Sequence, residues 1–187
     1  MYLSCSEIEL ICGNFLGDFV RNKDLKDLPE GWIRGIQLHR KIDSFTDTHK
    51  RVKACTRLLH PSQGKYSPVI IDVVFDYILY TQWDKYSGVA FDDFEILIYD
   101  TLSENVDQFP ERIKRRTLSM IDQKFFRSYT SLEGLRFTFQ QMKNRLNFDS
   151  NIENAVDDLE VYQDIFTKEF NAFFPELIEV TNSYCHC

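Results

Sequence analysis

Val69-Ile70-Ile71-Asp72-Val73-Val74-Phe75-Asp76-Tyr77-Ile78-Leu79-Tyr80 decides the fold. The run is too long for an ordinary strand, and its apolar residues leave no clear polar face, so it predicts a helix in the middle of a bundle. Working outward, apolar residues recur at three- and four-residue spacing almost everywhere, while alternating runs bounded by turn residues are scarce. The expectation is an all-α, single helical bundle domain over residues 1–187. Further helices are predicted over 6–20, with Ser4 or Ser6 as cap, from 29 or 30 to about 48, and over 50–59. Others follow over 91–106, 110–121, 124–129, 131–146 and 152–174. Polar or Pro/Gly-bearing loops at 21–29 and 61–68 separate the early ones, and a frayed tail at 183–187 ends the chain. No repeat, low-complexity linker or composition shift marks a second domain.

The 187 residues, 43% apolar, suffice for one core without staples. No apolar run reaches the roughly eighteen residues of a membrane span, and Glu7 and Glu9 stand where a secretory leader needs a basic start. The five cysteines, Cys5, Cys12, Cys55, Cys185 and Cys187, are odd in number and scattered, which predicts reduced thiols and a cytoplasmic location. A net charge of -7 argues against nucleic acid as a partner. Basic residues nevertheless cluster at Lys50, Arg51, Lys53 and Arg57 and at Arg112, Lys114, Arg115 and Arg116, either as solvated helix faces or as docking points for an acidic protein or a phosphate.

Asp72 and Asp76 share one face of the apolar helix, away from bulk water by context, an arrangement that calls for a cation, strong donors or plain ion pairing. On the preceding long helix His39, Asp43 and Asp47 form a row with Arg40 beside it. Facing Asp72 and Asp76, that row would make a hard-metal site for manganese or magnesium; a lone histidine would otherwise be a hydrogen-bonded core or surface group. Asp18 closes Gly13-Asn14-Phe15-Leu16-Gly17, whose glycines signal either ordinary packing or space kept for a ligand, and Asn14 shares a face with Asp18. His49 and His60 read as exposed loop or helix-end groups, and Cys185-His186-Cys187 as a weak chelating signal. No Walker loop, dinucleotide fingerprint, paired-cysteine zinc spacing or serine elbow occurs, which leaves metal-assisted hydrolysis as the chemistry most compatible with the residues.

Three blocks together, Gly13-Asn14-Phe15-Leu16-Gly17-Asp18-Phe19-Val20, Leu38-His39-Arg40-Lys41-Ile42-Asp43-Ser44-Phe45-Thr46-Asp47 and Asp72-Val73-Val74-Phe75-Asp76, resemble the acyl carrier protein phosphodiesterases. Glu133-Gly134-Leu135, Met142, Arg145, Glu169-Phe170 and Phe173 to Leu177 extend the likeness over nearly the whole chain.

The resemblance implies an all-helical fold distantly related to the HD phosphohydrolases. It also implies manganese-dependent removal of the 4'-phosphopantetheine arm from holo acyl carrier protein. It points to Asp18, His39, Asp43 and Asp76 around the metal, with His39, Arg40, Asp43, Asp72 and Asp76 as catalytic candidates. Arg40 would contact the diester, and the basic cluster of residues 50–57 would receive the acidic carrier. Two family histidines have no counterpart: the chain opens at a segment just beyond the family's Phe-Leu-Ala-His, and Tyr77 stands where the family has His. A relative that binds the carrier without cutting it, and a metal phosphohydrolase for another small diester, are the alternative readings.

Overall fold

The structure, a computed structural model, describes residues 1–146 and 149–183. Every regular element among them is helical: α1 Ile8–Leu16, α2 Glu30–Thr48, α3 Lys50–Gln63, α4 Ser67–Thr81, α5 Trp83–Tyr86, α6 Phe91–Asn105, α7 Glu111–Asp122, α8 Leu132–Lys143 and α9 Ala155–Thr181. No described helix is long and apolar enough to cross a membrane. The described residues divide into two compact units, each drawn from separated segments: residues 1–46, 92–123 and 176–183, and residues 47–91, 124–146 and 149–175.

In the first unit, Leu10, Ile11, Phe15 and Leu16 of α1 and Trp32, Ile36 and Leu38 of α2 are buried. Phe109, just ahead of α7, stacks on Phe15 at 6.0 Å and meets Trp32 edge-on at 5.2 Å, so one ring ties the start of α7 to both helices. The contact between α1 and α2 depends on glycine. A β-carbon on Gly13 would lie 2.7 Å from the Gly35 Cα, and one on Gly35 2.6 Å from the Leu10 carbonyl oxygen. Gly31 lies on Glu9, Gly35 on Gly13 and His39 on Gly17, a constant offset of 22 positions, so the two helices run in the same direction.

The second unit is built on α4, with Ile70, Ile71, Val73, Val74, Phe75 and Ile78 buried. Phe75 packs edge-on against Phe170 of α9 at 5.3 Å, and Phe170 stacks on Phe174 at 4.9 Å. The α4 helix is not apolar all round, however. Val69, Asp72 and Asp76 form an exposed stripe at three- and four-residue spacing, because one strip of this helix is left for water. The expectation that both carboxylates are hidden from solvent is corrected accordingly.

Several boundaries also move. The first helix spans Ile8–Leu16, and neither Ser4 nor Ser6 caps it: Glu7 holds the cap position without a side-chain bond, and Ser4 is buried in a preceding 3-10 turn. Residues 125–129 form a 3-10 turn in place of an α-helix, as does Asn22–Asp27 within the expected loop. The last helix passes through Pro175 to Thr181, because burial of Phe174 and Leu177 on either side outweighs one missing backbone hydrogen bond. His49 is the helix-end group expected, but half-buried rather than exposed. Its ring accepts from the Arg51 amide at 3.4 Å, capping α3, and packs 5.0 Å from Phe173.

Cys5 is disulfide-bonded while Cys12 and Cys55 are free and buried. Burial pushes both free thiols up to about 12, so neither is a nucleophile at neutral pH. The Cys185-His186-Cys187 signal lies outside the described residues.

Candidate functional site: an imidazole between two carboxylates

His39 sits on α2 one turn beyond Ile36, where the α1–α2 contact carries its ring over the end of α1. Gly17 makes this possible. A β-carbon there would come within 2.2 Å of the His39 Cγ, so the glycine keeps space for the imidazole. The chain then turns, the Phe19 and Val20 amides bonding back to the Leu16 carbonyl at 2.9 and 3.0 Å, and Asp18 projects beside the ring.

His39 Nε2 lies 3.3 Å from Asp18 Oδ1 and 3.1 Å from Asp43 Oδ2, one helical turn further along α2. On the other edge, Nδ1 is 3.1 Å from Asn14 Oδ1. Asn14 is buried, and its own Nδ2 donates to Ser4 Oγ at 3.0 Å, which leaves the amide oxygen for the ring. With an acceptor at each ring nitrogen, the site is built for the doubly protonated imidazolium.

The electrostatics agree. Burial is the largest single influence and works against the charged ring, but hydrogen bonds to Asp18 and Asp43 and their charges outweigh it, and the His39 pKa is pushed up to about 9. The hydrogen bond from His39 in turn holds the Asp18 carboxyl below its ordinary range, against burial. The side chain of His39 is 16% exposed, whereas Asp18 and Asp43 are 68% and 57% exposed. A covered cation thus presents two carboxylates to water.

Arg40 is anchored within the chain. Its Nη2 donates to the Val20 carbonyl at 3.0 Å and its Nη1 to Asn22 Oδ1. Both ends of the guanidinium fork grip the segment just after Asp18, making Arg40 a positioning residue in this geometry.

In the second unit, Asp76 is reachable by solvent yet surrounded by dense protein, and that crowding raises its carboxyl to about 6. Tyr129, from the 3-10 turn packed on α4, has its phenol raised as well, by burial first and by the Asp76 charge second. Asp72 and Asp47 are exposed, and Tyr77 is half-buried.

One imidazole and two carboxylates are chemically suitable ligands for manganese or magnesium. Both carboxylates converge on Nε2, the ring nitrogen that a metal would also need, so an ion bound there would replace the proton that Nε2 now shares with them. No group of three or more His, Cys, Asp or Glu side chains among the described residues is arranged to hold a metal ion.

Sequence reasoning did not include Asn14 or Ser4 in the site. Asn14 on the Asp18 face was the available signal; nothing in the sequence marks Ser4, whose partner is ten residues away.

An all-helical chain with an acid-flanked histidine of this kind falls in the class of helical proteins with a carboxylate–imidazole site. The profile described as Acyl carrier protein phosphodiesterase matches residues 1–177, and the chain belongs to that family. It is 23% identical over 172 residues to the acyl carrier protein phosphodiesterase of Klebsiella pneumoniae (strain 342), covering 91% of this chain and 89% of that one. It is 26% identical over 185 residues to the protein of that description from Photorhabdus laumondii, covering 94% and 90%. No solved structure matches it.

Proposed function

We propose that this protein hydrolyses the phosphodiester that joins 4'-phosphopantetheine to a serine of holo acyl carrier protein. Membership of the family over residues 1–177 is the observation that carries the reading. The Asp18–His39–Asp43 cluster supports it, because it keeps the family's central block in a defined geometry.

The reaction adds one water to phosphorus and breaks the bond from phosphorus to the serine oxygen, which needs a proton. Asp18, His39 and Asp43 supply the donor types that would hold a divalent metal, manganese or magnesium, once Nε2 has given up its proton and the two carboxylates have turned from the ring to the ion. When bound, it supplies a Lewis acid for a phosphoryl oxygen and a water of lowered pKa. Asn14 fixes the ring of His39 through Nδ1, and Arg40 fixes the turn that carries Asp18. Asp76, with its carboxyl raised to about 6, is the carboxylic acid suited to moving a proton near neutrality. Asp72, exposed one turn earlier on α4, is the second candidate that the resemblance places on that helix.

A second reading rests on Tyr77, which stands where the resemblance places a histidine: a protein that binds the carrier without cutting it. Intact-mass analysis of holo carrier incubated with this protein, with manganese, magnesium or chelator, separates the two. Loss of the phosphopantetheine mass only with metal is the expected result. An unchanged mass with the carrier retained on the immobilised protein would establish binding alone, and release of the chromophore from a chromogenic diester alone would assign a different substrate.

A further inference from the structure

The second basic cluster of the sequence, on α7, belongs to the same unit as His39. Its buried side is Ile113 and Thr117, and Phe109 seats its start against α1 and α2. Arg112, Arg115, Arg116 and Ser119 are exposed together on the side away from Ile113 and Thr117, with Leu118 exposed nearby. The Arg116 guanidinium lies over the ring of Phe19 at 5.8 Å, and Phe19 directly follows Asp18. The basic edge of this helix therefore touches the turn that presents one of the site's two carboxylates.

Neutralisation of this edge is slight. Lys114 is taken up by Asp107, but Arg115 reaches Glu111 only at 3.9 Å with both side chains 74% exposed, a pair that counts for little in water. A stripe of arginines that persists on a protein of net charge -7 is a local exception to its own field.

We infer that the Arg112–Arg115–Arg116 edge of α7 is the docking surface for an acidic helical segment of the carrier protein, held so that its diester reaches the Asp18 turn. The inference rests on the proposed function for the identity of the partner. Charge complementarity supplies the attraction, Leu118 an apolar contact, and the Arg116–Phe19 contact the link from docking to site. The α3 cluster is the less suitable surface: Arg51 is committed to Glu169 at 3.0 Å, leaving Lys50, Lys53 and Arg57 exposed on a helix of the second unit.

The test measures binding of fluorescently labelled apo and holo carrier by anisotropy across a salt series. The proteins compared are wild type, Arg112→Glu/Arg116→Glu, Arg112→Glu/Arg115→Glu and the α3 variant Lys53→Glu/Arg57→Glu. The second variant retains the Arg116–Phe19 contact, and circular dichroism confirms the fold of each. Both α7 variants should weaken binding about tenfold or more and flatten its salt dependence, while the α3 variant stays within about threefold of wild type. Wild-type affinity in the α7 variants, an equal loss in the α3 variant, no carrier binding by wild type, or equal competition by duplex DNA would each overturn the assignment. Because apo carrier lacks the diester, these outcomes are independent of whether the protein cuts holo carrier.

Discussion

The ring of His39 occupies the space where a side chain on Gly17 would be, its Cγ 2.2 Å from the position of a β-carbon there. This contact sets the imidazole against the end of α1 and brings it between Asp18 and Asp43.

The Gly17→Ala substitution should displace the ring and cost about 1–3 kcal/mol of stability, as overpacking does. Gly17 has right-handed helical dihedrals, so the cost comes from the clash and not from the backbone. Adding His39→Ala should remove most of the Gly17→Ala penalty. Urea denaturation of the four proteins in this cycle tests it, and strictly additive effects would refute the contact.

The charge on His39 has a stability consequence with a definite sign. Its folded pKa of about 9 is above its ordinary value, so the stabilisation is fully present below about 6.5 and is lost as pH rises through about 9. In metal-free protein the advantage of wild type over His39→Gln should follow that course. Ring titration by NMR gives the pKa directly, and a midpoint near 6.5 would contradict the geometry.

Asp76 titrates in a different window. An acid with a raised pKa favours the folded state while protonated, so its contribution is full below about 3.8 and is lost as pH rises through about 6. Asp76→Asn should therefore gain stability relative to wild type between about pH 4 and pH 7. If Asp76 moves a proton in the reaction, the same variant should lose about a hundredfold or more in kcat on holo carrier.

Arg40→Lys keeps the charge but cannot bond Val20 and Asn22 with one planar fork. Turnover should fall about tenfold or more through misplacement of Asp18. Exogenous guanidinium should restore part of the activity of Arg40→Ala. Full activity in Arg40→Lys would show that charge alone suffices.

By itself the sequence determined the helical class, because three- and four-residue apolar spacing has one common solution, and it marked Asp18, His39 and Asp43 through local helix spacing and family likeness. The long helices and most of their centres follow from the same local pattern. What lay between helices was legible only in part. Nothing in Gly17 alone says that its missing side chain makes room for an imidazole, which depends on the parallel approach of α1 and α2, and nothing in Ser4 says that it holds Asn14, which depends on the N-terminal turn packing on α1. Periodicity also hid Asp72 and Asp76 inside a bundle, whereas the tertiary structure leaves them on an exposed stripe of α4. Burial and proton affinity are properties of surroundings contributed by residues distant in the chain, and only packing brings those surroundings together.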